Sequence, residues 1–213
     1  LLEQHRLGKS TSCLRFYTWT PIAISLGYHQ RHYPEHWQRL QWNNQTIDLV
    51  RRPSGGRAVL HQGDLTYSLI TSGLAGRRRD VYAHLWQFLI EGWHSLGIAL
   101  HLGADKQSYQ SADSCFGTST AADLVMGNGY KVIGSAQLYR EGCILQHGSM
   151  RLFPDSSLVE KVFGGPPVVS PKVLMTMSAA DVVAALAAYA QRIFDIKFEI
   201  QPLSPREQQQ ALA

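Results

Sequence analysis

The chain has few of the features that staple a protein together or anchor it from outside. It has three cysteines, Cys13, Cys115 and Cys143, in 213 residues. None forms a Cys-x-x-Cys pair and the number is odd, which argues against a disulfide framework or a zinc knuckle and fits a reducing cytoplasm. No apolar run reaches about 18 residues, so no membrane span is expected. The opening Leu1-Leu2-Glu3-Gln4-His5 reads as the middle of a helix and lacks the basic-then-apolar layout of a secretory leader. Metal-ligand spacing is missing as well: His32 and His36 lie four apart with no third ligand or carboxylate pattern, so no metal is expected. Charged residues make up 17% against 45% hydrophobic ones, a balance that excludes disorder throughout. The length suits one domain, residues 1–213, with a sizeable core. A net charge of +4 favours acidic partners, whether nucleic acid or an acidic carrier protein.

What is present reads mostly as strands. Residues 12–19 alternate, with Leu14, Phe16 and Thr18 on one side and Arg15, Tyr17 and Trp19 on the other. Apolar runs at Ile22 to Leu26, Ile47 to Val50, Ala58 to Leu60, Leu65 to Ile70 and Cys143 to Phe153 read as further strands. A short helix is expected after Pro34. Asp80 is the expected N-cap of a helix to about Leu96, with Val81, Leu85, Phe88, Leu89 and Leu96 as its apolar stripe and Gly97 as its end. Residues 103–114 are polar and loop-like. Leu124 to Met126 and Val132 to Ala136 bracket Gly127-Asn128-Gly129-Tyr130, a hairpin signal. Ser178 with Asp181 resembles a capping box for a helix to about Ile193, with Val182, Leu186, Tyr189 and Ile193 on one face. Lys197 to Ile200 is expected to be a last strand. Strands that outnumber helices and follow one another in hairpins predict an α+β domain with a mixed, largely antiparallel sheet flanked by helices.

Two segments invite chemistry. In Arg51-Arg52-Pro53-Ser54-Gly55-Gly56-Arg57-Ala58-Val59-Leu60-His61, adjacent glycines let the backbone approach a ligand closely and offer N–H groups to an oxygen. A tight solvated turn accounts for the same residues, and the pattern is neither a Walker loop nor Gly-x-Gly-x-x-Gly. The second segment is Ser114-Cys115-Phe116-Gly117 followed by the hairpin with Lys131 on its returning strand. A hairpin can fold residue 131 back towards 115, where an ammonium would raise the thiolate fraction of Cys115. Taken alone, these residues are more simply read as a small buried cysteine and a solvated lysine. Cys13 and Cys143 lie in apolar runs and read as core. His61 and His147 are candidate general bases.

Taken together these segments resemble the biotin/lipoate protein ligase family. The glycine segment 51–61 resembles its signature, and Leu14-Arg15-Phe16-Tyr17-Thr18-Trp19 with Ser25-Leu26-Gly27-Tyr28 resembles its first strands. Lys131-Val132-Ile133-Gly134-Ser135-Ala136-Gln137 looks like its lysine strand, and Leu145-Gln146-His147-Gly148-Ser149 like the strand after it. The similarity runs from Leu1 to about Leu203. Within the family it is closest to the LipM-type octanoyltransferases, whose nucleophile sits in a Cys-Phe motif, here Cys115-Phe116. Two departures concern the Cys115–Lys131 geometry: the turn 127–130 is one residue longer than usual, and Asp123 stands where a glutamate is common.

The resemblance implies a ligase-type catalytic domain in the cytoplasm. It implies Cys115 and Lys131 as catalytic residues and Arg51, Gly55, Gly56, Arg57, Val59, His61, Gly134 and Ser135 as substrate-binding ones. The reaction implied needs no cofactor and no metal: octanoyl passes from the phosphopantetheine of acyl carrier protein to Cys115, then to a lysine of a lipoyl domain, such as glycine-cleavage H protein or a dehydrogenase E2. Both partners are commonly acidic, which suits the +4 charge and Arg77-Arg78-Arg79; neither nucleic acid nor membrane is expected as a partner. An ATP-dependent lipoate or octanoate ligase and an amidotransferase between lipoyl domains are the alternatives.

Overall fold

Alternation of side chains along one sheet organises the molecule, whose computed structural model describes residues 1–103, 123–165 and 169–212. In chain order the elements are α1 (Leu2–Arg6), β1 (Cys13–Tyr17), β2 (Ala23–Leu26), a 3-10 turn (Glu35–Arg39), β3 (Gln41–Trp42), β4 (Gln45–Thr46), β5 (Asp48–Arg51), β6 (Val59–His61), β7 (Asp64–Ser72) and α2 (Arg78–Ser95). There follow β8 (Leu100–Leu102), β9 (Asp123–Met126), β10 (Lys131–Arg140), β11 (Cys143–Arg151), α3 (Ser156–Phe163), α4 (Lys172–Met175), α5 (Ala179–Phe194) and α6 (Pro205–Leu212). A six-stranded sheet runs in the order β1-β7-β11-β10-β9-β8 and is antiparallel at every pairing. A three-stranded sheet, β5-β2-β6, mixes a parallel and an antiparallel pairing. The architecture is the expected α+β one, with a mixed, largely antiparallel arrangement flanked by helices.

One face of the large sheet is apolar and covered. Leu65, Tyr67 and Leu69 of β7, Ile144 and Met150 of β11 and Ile133 of β10 are all buried against Phe88, Leu89 and Trp93 of α2 and Val182 and Leu186 of α5. Burying each of these large side chains is worth about 2 kcal/mol relative to exposure. Gly92 lets the two helices cross closely, since a Cβ there would lie 2.7 Å from Leu186 Cδ2 and 3.2 Å from its Cα. Ser178 caps α5 by accepting from the Asp181 N–H at 3.0 Å, a contact whose loss costs about 1 kcal/mol. A second core lies between the small sheet and α3, where Ile24, Leu26, Leu60 and Trp37 meet Leu158 and Val162. Trp37 donates its indole N–H to the Val162 carbonyl at 2.9 Å.

Two expectations need correction. The N-cap of α2 is Arg77, and Asp80 sits one turn in, where it accepts from the Arg77 guanidinium at 2.9 Å. Lys197 to Ile200 is not a strand. Phe198 packs on the main core but gives its N–H to the Gln191 side chain at 2.9 Å, while Ile200 is almost wholly exposed. The helix α3, capped by Asp155 accepting from Ser157 and Leu158, and the edge strand β8 were not foreseen in the sequence. No helix among the described residues is long and apolar enough to cross a membrane.

Candidate active site

The other face of the large sheet looks into a cavity of about 850 Å³. Period-two alternation explains its lining. Arg15 and Tyr17 of β1, Thr66, Ser68 and Ile70 of β7, Leu145, His147 and Ser149 of β11 and Gly134, Ala136 and Leu138 of β10 all border it, and paired residues fall in rows across the sheet. The small sheet and the glycine segment border it as well, through Ser25, Arg51, Arg52, Gly55, Gly56, Val59 and His61. One wall is therefore a polar-to-apolar sheet face, and the other is a backbone turn without side chains at its apex.

Lys131 reaches this face through an irregularity. Ile133, Ser135 and Gln137 share the helix-facing parity of β10, and Lys131 would share it in a regular strand. The register against β9 slips there: Lys131 pairs with Val125 but Ile133 with the adjacent Leu124. The extra residue, Val132, is buried in the core along with Ile133, and Lys131 changes sides. Its ammonium then meets the Asp123 carboxylate at 2.9 Å, and both side chains are almost completely buried. The hairpin turn that returns the strand has Gly129 at φ 83° and an Asn128 side chain that accepts from the Tyr130 N–H at 3.0 Å.

The glycine turn is held from behind by Arg52. Its Nη1 donates to the Ser25 carbonyl at 2.7 Å, and its Nη2 donates to the carbonyls of Gly55 at 3.0 Å and Arg57 at 2.6 Å. Arg51 ties the neighbouring loop by donating to the carbonyls of Gly27 and Gln30 at 2.7 and 2.8 Å. Gly56 has φ 95°, in the left-handed region where side chains are strained. Gly27 lies directly beneath it, since a Cβ at residue 27 would come within 1.8 Å of the Gly56 carbonyl oxygen. Ser54 joins the turn to the large sheet through a 2.5 Å hydrogen bond to His147 Nε2. Burial, with the nearby Arg52 and His61, lowers the His147 pKa from 6.5 to about 4, so the ring is neutral at pH 7.

A second polar cluster lies under the cavity, where the two sheets meet. His61 Nδ1 bonds Asp64 Oδ2 at 2.9 Å and His61 Nε2 bonds Ser25 Oγ at 2.8 Å. Asp64 Oδ2 also accepts from Thr66 Oγ1 at 3.1 Å and Ser149 Oγ at 2.7 Å. A carboxylate only accepts, so Nδ1 carries a proton, and in the neutral ring Nε2 accepts from the serine. Trp19 stacks on the imidazole at 4.1 Å and donates its N–H to Thr66 at 3.0 Å. Ser25, His61, Asp64, Thr66 and Ser149 are all buried.

Of the residues singled out in the sequence, Lys131, Arg51, Gly55, Gly56, Val59, His61, Gly134 and Ser135 border one cavity. The Ser135 hydroxyl is on the helix side, bonded to Tyr67 at 2.8 Å. Arg57 contributes its carbonyl to Arg52 and lies outside the lining. Cys143 is buried and Cys13 half-buried. Cys115 lies outside the described residues. Sequence reasoning passed over Arg52, Ser25 and Asp64 as site residues. A His-x-x-Asp spacing across the Gln62-Gly63 turn was the available signal for Asp64.

Comparison with known proteins gives the family and the fold. Residues 1–204 match the profile of the lipoyl protein ligase A/B catalytic domain. A protein named octanoyltransferase LipM from Anoxybacillus flavithermus is 36% identical over 177 residues, 78% of this chain and 63% of the relative. Another of that name from Brevibacillus brevis is 37% identical over 171 residues, 75% of this chain and 61% of the relative. The chain thus spans about three fifths of the length of the curated relatives it matches. Among solved structures, a lipoate-protein ligase A bound with ATP superposes with a TM-score of 0.76 at 21% identity, covering 95% of this chain and 81% of the other. A bipartite lipoate protein ligase from Thermoplasma acidophilum gives 0.74 at 19% identity, covering 99% and 83%. The fold is that of lipoate ligases, as the sequence resemblance implied.

Proposed function

This chain belongs to the family of lipoyl protein ligase A/B catalytic domains, and from that premise we propose that it moves an octanoyl group from acyl carrier protein, through a thioester on Cys115, to a lysine of a lipoyl domain. The observation that carries the reading is the buried Lys131–Asp123 pair in the wall of a cavity bordered by the glycine turn. Relatives named octanoyltransferase LipM support the choice of acyl group and reaction. An eight-carbon chain suits the apolar row Ile70, Leu138 and Leu145, since each buried methylene contributes about 0.8 kcal/mol.

In this reaction the Cys115 thiolate attacks the thioester carbonyl, the carbonyl oxygen becomes an oxyanion, and the carrier thiolate leaves and takes a proton. One thioester replaces another, so the step needs neither ATP nor a bound cofactor. Held by a carboxylate, the Lys131 ammonium serves as a fixed cation that favours both the thiolate and the oxyanion. A neutral lysine amine of the acceptor then attacks the Cys115 thioester, the C–S bond breaks as the amide forms, and the proton lost by the nitrogen ends on the departing Cys115 thiolate. The acceptors are glycine-cleavage H protein or dehydrogenase E2 domains, and the setting is the cytoplasm, where the cysteines stay reduced.

Intact mass spectrometry after mixing with octanoyl-acyl carrier protein, without ATP, tests the reading. A hydroxylamine-labile octanoyl adduct mapped to Cys115, and abolished in Cys115→Ser, is expected. Activity that requires ATP and survives Cys115→Ser would make the chain a ligase instead. Octanoyl taken only from another lipoyl domain would make it an amidotransferase.

A further inference from the structure

We propose that Asp64, His61 and Ser25 form a positioning chain that aims Arg52, which in turn presents the Gly56 N–H to the cavity as a donor to the oxyanion. The inference rests on the acyl-transfer reading above. Connectivity through the correct ring nitrogens gives the chain a direction. Three donors converge on Asp64 Oδ2, which fixes the proton on His61 Nδ1 and leaves Nε2 to accept from Ser25. With its proton committed to His61, the Ser25 oxygen offers a lone pair to Arg52 Nη1, 3.3 Å away.

Arg52 converts this into the conformation of the turn. In a trans peptide the carbonyl and the following N–H point in opposite directions. Because the guanidinium draws in the Gly55 carbonyl at 3.0 Å, the Gly56 N–H points away from it. Gly56 is exposed and borders the cavity, and its own carbonyl is seated against Gly27. Both peptide planes around Gly56 are therefore fixed before any acyl group arrives, which is what an oxyanion donor needs.

The same three residues would serve as a nucleophilic triad if Ser25 were the attacking group, and its surroundings argue against that. Ser25 is 2% exposed, paired on both sides within the small sheet through Val50 and Val59, and its oxygen is covered by Arg52. A hydroxyl so placed orients a neighbour more readily than it attacks a carbonyl.

The test combines glycine-selective amide NMR with single-turnover acylation by octanoyl-acyl carrier protein, in the wild type and in Ser25→Ala, Asp64→Asn and Arg52→Lys. The Gly56 amide resonance is expected to shift in all three. Acylation should slow by about 100-fold in Arg52→Lys and about 10-fold in the other two, with KM for the carrier within about twofold, as expected for lost transition-state positioning. Arg52→Lys leaves the buried chain intact and decides the matter if a core variant fails to fold. An unshifted Gly56 amide in folded variants, unchanged acylation rates, or an octanoyl group trapped on Ser25 would overturn the proposal. If the wild type forms no acyl-Cys115 at all, the transfer reading fails, while the Gly56 resonance still judges the chain.

Discussion

Two centres of buried polarity face the same cavity, and they are built on different plans. At one, Lys131 and Asp123 meet as an ion pair delivered by adjacent strands of one hairpin. At the other, Asp64 spreads its charge over His61, Thr66 and Ser149, and the chain continues through Ser25 to Arg52 across two sheets. In the pair two opposite charges face each other at 2.9 Å, so removal of either takes away the charge directly opposite. In the network Asp64 shares its contacts among an imidazole and two hydroxyls, so each carries a smaller part. The pair thus resembles a working group, and the network resembles scaffolding that sets an angle.

The largest expected effect breaks the pair. Asp123→Ala should destabilise the fold by about 3–5 kcal/mol in denaturant melts, because Lys131 stays buried without its carboxylate. The double change Asp123→Leu with Lys131→Met should restore most of that stability and no acyl transfer. Equal stability in Asp123→Ala and the wild type would mean that the pair is no stronger than a surface contact.

Acid comes next. His147 titrates near 4 in the fold against 6.5 when unfolded, so between those values the unfolded chain binds more protons and stability falls as the pH drops. The wild type should lose up to about 3 kcal/mol across that window that His147→Gln does not lose. Parallel stability curves for the two proteins would contradict the burial of this ring.

Gly27→Ala sharpens the comparison at the turn. Its new Cβ collides with the Gly56 carbonyl, so a cost of about 1–3 kcal/mol and a displaced Gly56 amide resonance are expected. Ser149→Ala, which removes one of the donors to Asp64, should cost only about 1 kcal/mol, measured by the same melts. A loss as large as that of Asp123→Ala would erase the distinction between pair and network.

Much of this was legible in local pattern. The alternation of Leu14 and Phe16 against Arg15, Tyr17 and Trp19 separated two faces, and the structure puts the first pair against the core and the other three at the cavity. Ser178 with Asp181 located the start of α5. The Lys197 to Ile200 strand failed because a short apolar alternation does not reveal whether a sheet edge is open to receive it. The Asp64–His61–Ser25 chain escaped notice because Ser25 and His61 are 36 residues apart and meet only when β2 and β6 pair. Arg52 was hidden by its neighbour: two adjacent arginines look alike in sequence, but Arg51 ties an exposed loop and Arg52 holds the turn.

The surplus residue in β10 has a consequence of its own. Val132 is the count that carries the lysine from the oily side of the sheet to the wet one. Exchanging Val132 for isoleucine alters a volume, whereas inserting one further residue between it and Lys131 would turn the amine in among the leucines by plain alternation. Along this stretch the count of residues decides which side the lysine faces, and their identity decides only how they fill the core.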